Sequence, residues 1–330
     1  MLAGRRAAVS QLLGVCAGAA ACYWVYRLIA GAGRRRRDSG SGGGGGGGGK
    51  PGSLIDRVSG ISPRAAARPD NVPQSAGDLK PHHIKKLLEI VATSSDTSLR
   101  ELALVSLCNS AAFSVNQDLI RNLDGIRVIG EALSDLNSEV KVKALNTLNN
   151  LSMNVQNQKL IKDFLHGVCE MITSAALNSE LQLAGLRLLI NMSVTNSHHN
   201  HFIDYISFFL TLLAEGNRYT QIHASKVLVN LSANPSMAAP LLHSKGSSLL
   251  NALFDSCVHT DILSRVLRFA ANVSENLESA HNCNGHYDEN SLHTLLFGDS
   301  ALLKMNLSSL SEHPEVEVKE QAARLIQSSK

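Results

Sequence analysis

From Leu79 onwards, apolar residues recur three and four positions apart, and short turn-forming clusters ("TSSDTS", "LDG", "LNSE", "EGN", "ANPS") interrupt the runs. That period predicts helices throughout residues 79–330. One phrase keeps returning: "ALVSLCNSA" from Ala103, "ALNTLNNLS" from Ala144, "GLRLLINMS" from Gly185, "ASKVLVNLS" from Ala224 and "VLRFAANVS" from Val266. Its asparagines are Asn109, Asn150, Asn191, Asn230 and Asn272, spaced by 41, 41, 39 and 42. A fixed period of this length predicts stacked repeats, because one unit cannot bury both faces of its long helix and needs neighbours. Two long helices start almost identically, "LNSEVKVKAL" from Leu136 and "LNSELQLAGL" from Leu177. Asn137/Ser138 and Asn178/Ser179 are the expected N-caps, each followed by an acid that suits the positive helix end.

The first 78 residues follow other rules. Ala7 to Tyr26, "AAVSQLLGVCAGAAACYWVY", carries no charge, and about twenty residues make a helix of roughly 30 Å, enough for a hydrocarbon core. Tyr23, Trp24 and Tyr26 sit at one end, where amphipathic rings favour the interface, and Arg27 and Arg34, Arg35, Arg36 and Arg37 follow. The excess positive charge behind the segment predicts a signal anchor over residues 1–37 with the large C-terminal part in the cytosol. Gly14-x-x-x-Gly18 is a weak pairing motif within it. A cleaved signal peptide is the competing reading. Against it stand the arginine block, and four formal glycosylation sequons (at Asn150, Asn191, Asn230 and Asn272) that fall inside expected helices. Residues 38–78 read as a disordered Gly/Ser/Pro linker, and about forty such residues span roughly 35 Å. "GGGGGGKP" mimics a phosphate loop but fails at Pro51, where Ser or Thr is required.

Charge separates the two parts. The chain carries +3 overall. Residues 1–50 hold eight bases and one acid, +7, so the remainder has 23 bases and 27 acids, −4. A mildly acidic body gives nucleic acid no attraction. Aromatics make up only 4% of the chain, so aliphatic side chains carry the packing. Six cysteines without paired spacing suit reduced thiols facing the cytosol.

Candidate chemistry is sparse. "SHHNH" (Ser197–His201) and "HNCNGHYD" (His281–Asp288) are the metal-like clusters, and His281, Cys283, His286 and Asp288 lack the paired spacing of a structural zinc site. No nucleophile elbow, HExxH, dinucleotide or kinase pattern occurs. The expectation is a non-enzyme with no cofactor, no metal and no small-molecule substrate.

A unit of about forty residues whose long helix ends in A-L-x-x-L-x-N-L-S resembles the armadillo repeat. "NSAAFSVNQDLIRNLDGI", "ALNTLNNLSMNVQNQKLIK", "LQLAGLRLLINMSVTN" and "VLVNLSANPSM", with "ACYWVYRL…RRRR", are similar to the X-linked armadillo-repeat (Armcx-like) family. The resemblance covers the anchor and nearly all of 79–330, and leaves out the glycine-rich linker. It implies an all-α, right-handed superhelix of about six repeats, the last being "EVKEQAARLIQ" without its asparagine, with the register broken near Leu277–Asn290. The ladder asparagines and the residues four before them, Val105, Asn146, Arg187, Lys226 and Arg268, would share one concave face. In armadillo proteins such amides hold the backbone of an extended peptide. The tryptophan that nuclear-import members use four positions earlier is absent from the body, which favours acidic or phosphorylated segments as ligands. The amides could equally brace the neighbouring repeat. The family further implies a mitochondrial outer-membrane scaffold acting with Miro GTPases and kinesin-adaptor machinery in mitochondrial distribution, growth and survival. The alternative is an endoplasmic-reticulum or nuclear binder that restrains a tumour-suppressor transcription factor.

Overall fold

The computed structural model describes residues 80–277, 287–298 and 302–328. In chain order the α-helices are α1 (Pro81–Thr93), α2 (Thr97–Ser110), α3 (Ser114–Asn122), α4 (Gly125–Glu131), α5 (Ser138–Leu151), α6 (Val155–Ile161), α7 (Leu165–Ser174) and α8 (Glu180–Met192). Then come α9 (Ile206–Glu215), α10 (Arg218–Ser232), α11 (Ala238–His243), α12 (Thr260–Glu275), α13 (Leu292–Phe297), α14 (Leu302–Ser311) and α15 (Val316–Ser328). Short 3-10 helices complete the units, notably Asn196–Tyr205 and Ser248–Phe254.

The long helices α2, α5, α8, α10, α12 and α15 each end one unit, and each packs on the next in that order. Their apolar positions explain the stacking. Leu104/Leu107, Leu145/Leu148 and Leu186/Leu189 lie five and two places before the ladder asparagine and are completely buried. Each such leucine contributes about 1.5–3 kcal/mol relative to exposure. The sixth rung, α15, turns Glu317, Lys319, Glu320 and Gln327 to solvent.

Four long helices begin with the same device. Asp96, Asn137, Ser179 and Asn217 accept from backbone N–H groups in the first turn, Asn137 from Glu139 at 2.7 Å and Asn217 from Tyr219 at 3.0 Å. Two of these, Asn137 and Ser179, are the caps expected from the paired starts. Asn178 instead takes a left-handed backbone, φ 66°, and its Oδ1 accepts from Asn217 N–H at 2.7 Å, tying consecutive turns together. Where the expected register breaks, the chain is stitched back. Gly246 N–H donates to Asn290 O (3.0 Å) and Leu292 N–H to Ser244 O (2.8 Å).

Candidate functional site: the long-helix face

The ladder asparagines line the stacked long helices, and their amide nitrogens turn sideways rather than outward. Asn150 Nδ2 donates to Cys108 O on α2 (3.0 Å). Asn191 Nδ2 donates to Asn149 O (3.2 Å) and Ser152 Oγ (3.0 Å). Asn230 reaches Ile190 O (3.2 Å) and Ser193 Oγ (3.0 Å), and Asn272 reaches Val229 O (3.4 Å) and Ser232 Oγ (3.0 Å). Each asparagine thus satisfies carbonyls or hydroxyls at the C-terminal end of the preceding long helix, where helices leave acceptors without partners. Asn109, on the first rung, is exposed. Of the two roles open to these amides, bracing is the one their donor ends perform in the four later rungs.

The row four residues earlier is different. Val105, Asn146, Arg187, Lys226 and Arg268 are all half-buried on the same face. Arg187 Nη2 bridges Asn146 Oδ1 on the previous rung (3.0 Å) and Glu180 on its own (2.7 Å). Arg268 pairs with Glu317 of the next rung at 2.7 Å, while Lys143 meets Glu139 at 3.4 Å. The row therefore changes from apolar at Val105 to basic at Lys226 and Arg268. Cys108 lies beneath Asn150 on this face, and burial pushes its thiol up to about 11, leaving it protonated and unreactive at neutral pH.

A second polar ladder, which the sequence reading passed over, caps the other side of the same helix ends. Asn116 and Gln117 donate to Ser110 O (3.1 Å) and Ala111 O (2.8 Å). Asn157 and Gln158 repeat this on Leu151 O (3.0 Å) and Ser152 O (2.8 Å). His198 and His199 stand at the same place on the next rung, against Met192 O (3.2 Å) and Ser193 O (2.7 Å). The signal was present in the sequence: each pair follows its ladder asparagine by seven and eight residues. "SHHNH" is thus part of a 3-10 helix rather than a loop; Ser197, Asn200 and His201 are exposed, and the two buried rings, His198 and His199, meet the same helix end. His198 and His199 are 5% and 1% exposed, and burial pushes both below the ordinary imidazole value.

Among the described residues no group of three or more His, Cys, Asp or Glu side chains could hold a metal ion. His281, Cys283 and His286 lie outside those residues. So do the anchor residues Ala7, Gly14, Gly18, Tyr23, Trp24 and Tyr26 and the flank Arg34, Arg35, Arg36 and Arg37. Among the described helices none is long and apolar enough to cross a membrane.

The family model described as Armadillo-like matches residues 79–297. Solved structures similar to this chain include a designed armadillo repeat protein with the peptide (KR)4, at 16% identity and TM-score 0.61, covering 75% of this chain and 99% of that one. Another is a set of computationally designed armadillo repeat proteins for modular peptide recognition, at 16% identity and TM-score 0.63, covering 74% and 99%. At these identities the likeness is one of fold.

Proposed function

The chain belongs to the Armadillo-like family, and on that premise we propose that it is a non-enzymatic scaffold whose long-helix face receives an extended segment of a partner protein. The observation that carries this reading is the half-buried row Val105, Asn146, Arg187, Lys226 and Arg268, set one per rung along a single face. A stacked-repeat surface of this kind is the usual docking site of solenoids. A designed relative is named for its complex with an alternating Lys-Arg peptide. Here the central rungs are themselves basic, so the ligand takes the opposite sign and is acidic or phosphorylated. The asparagine ladder serves that face by holding its rungs together. Asn109 and the row four residues before the ladder asparagines supply the contacts.

The finer assignment rests on resemblance to the X-linked armadillo-repeat family and on the apolar, arginine-flanked N-terminus. It places the chain in the mitochondrial outer membrane with its repeats in the cytosol, working with Miro and kinesin-adaptor machinery in mitochondrial distribution. Deletion of residues 1–37 tests the anchor: organelle position and activity should be lost together.

The docking face is tested by proximity labelling from the intact chain. Lys143→Gln/Lys226→Gln/Arg268→Gln should lose its labelled partners. Lys159→Gln/Lys162→Gln, two exposed positions on the short-helix side, should keep them. Equal labelling by both variants, each with unchanged thermal unfolding, would sink the proposal.

A further inference from the structure

Five of the six long helices carry at least one carboxylate. α2 has Glu101, α5 Glu139, α8 Glu180, α12 Asp261 and Glu275, and α15 Glu317 and Glu320. The fourth rung, α10, has none across "RYTQIHASKVLVNLS" while it holds Arg218, His223 and Lys226. The difference sits at one repeated place. Eleven residues before the ladder asparagine stand Glu139, Glu180 and Asp261; α2 has Ser98 there and its acid one turn later at Glu101, whereas α10 has Tyr219 there and no acid anywhere. In α5 and α8 that acid draws in the base of its own helix, at 3.4 Å and 2.7 Å. On α10 Arg218 turns to Asp261 of the next rung at 3.2 Å.

His223 and Lys226 are three residues apart and share the long-helix face. His223 Nδ1 lies 2.6 Å from Tyr219 O, a contact that requires Nδ1–H to donate and leaves Nε2 as the other ring nitrogen. Arg187, held by Glu180 and Asn146, occupies on the third rung the position that Lys226 occupies on the fourth. Lys226 and Arg187 both act on this imidazole: burial lowers its pKa most, the hydrogen bond to Tyr219 O raises it, the charges of Lys226 and Arg187 lower it, and Glu180 raises it least.

We propose that His223, Lys226 and Arg187 form a binding site for a phosphorylated side chain of an extended protein segment, at the middle of the long-helix face. This deepens the docking reading above and rests on it. A phosphate monoester brings close to two negative charges and three acceptor oxygens, which suits two cationic groups and an imidazole on adjacent rungs. As the dianion arrives, His223 takes a proton from solvent on Nε2 and becomes a donor on both nitrogens, so binding and protonation strengthen each other. A nucleic-acid backbone fits less well, because Glu139, Glu180, Asp261 and Glu317 interrupt the basic positions along the face.

The test uses the intact chain with ¹³C-labelled histidine, read by the ring resonances of His223. Blocked phosphoserine (acetylated and amidated) is titrated at constant ionic strength, with blocked serine as control. The expected result is a saturable shift of the His223 signals with phosphoserine only, and a rise of its midpoint by roughly half a unit or more. Lys226→Ala or, should that variant fold poorly, Lys226→Gln weakens binding about tenfold. A His223 signal that treats phosphoserine and serine alike, or equal binding by the Lys226 variants, overturns the site. Equal shifts with phosphoinositide-containing vesicles overturn its assignment to a protein segment. Phosphoserine that fails to bind while the Lys143→Gln/Lys226→Gln/Arg268→Gln variant still loses its labelled partners condemns this site alone, whereas partners retained by that variant condemn the docking reading as well.

Discussion

At the residue scale, two side chains carry consequences for stability. His199 donates through Nε2 to Ser193 O, and its Nδ1 accepts from Asn234 Nδ2 at 3.0 Å. Asn234 cannot simply turn over, because its Oδ1 already accepts from Ser236 N–H and Oγ. A proton on Nδ1 would face the amide N–H group in a buried site. Burial holds the folded pKa below the ordinary 6.5, the hydrogen bond to Ser193 O opposes it, and the charge of His198 adds to the lowering. The unfolded chain then binds more protons, so this stabilisation is complete above about pH 6.5 and is lost as pH falls toward the folded value. His198, His201 and Lys162 are the charged or titratable neighbours, and each disfavours added charge on the pair. His198→Asn/His199→Gln installs the pair found on the two previous rungs. Thermal melts from pH 7.5 to 5.5 should show the natural chain losing more stability than the variant, and parallel curves would contradict this account. Asn230 gives the second case. Asn230→Ala removes two bonds to the previous rung and should cost about 1–3 kcal/mol in denaturant unfolding. A loss of ligand in that variant would therefore report a loosened joint between rungs rather than a lost contact.

At the scale of the element, helix boundaries and faces were largely legible. The paired starts located two caps, and the asparagine phrase located the long helices. Orientation was not legible. A spacing of 41 places Asn191 on a face, but only the approach of α5 to α8 decides that its amide turns to Asn149 and Ser152. The histidine pair was similarly opaque: its burial follows from sitting on the end of α8, which adjacency alone does not show. Close approach also explains Gly185 inside α8. A Cβ there would come 2.2 Å from Ile172 Cγ2 on α7, and a branched side chain in a helix has little freedom to move aside. Gly185→Ala gains up to about 1 kcal/mol in helix propensity, and overpacking should outweigh it by about 1–3 kcal/mol. A variant as stable as the natural chain, by chemical denaturation, would show that α7 and α8 can part cheaply.

At the scale of the whole molecule, stability is a sum over neighbouring rungs. The inter-rung ties form a continuous series from Cys108 O to Asn272, and Arg268–Glu317 and Arg324–Glu275 extend it to the last rung. Five rungs and their common face followed from the period of the asparagines, and the sixth from "EVKEQAARLIQ", which lacks one. The charge break on α10 was equally visible in the sequence, yet it acquires meaning only when the rungs lie side by side. In the docking reading proposed above, the asparagines hold the stack together, and a partner meets Asn109 and the basic row, competing there with Glu180 and Glu317 for Arg187 and Arg268.

Photo-crosslinking tests that division most directly. A photoreactive amino acid placed at Asn109 or Lys226 of the intact chain in cells should capture partner protein, and one at Lys159 should not. The account predicts long-helix-face adducts that disappear when Lys143, Lys226 and Arg268 are replaced by glutamine elsewhere in the Asn109-labelled chain. Adducts forming from Lys159 alone, or surviving that replacement undiminished, would contradict it.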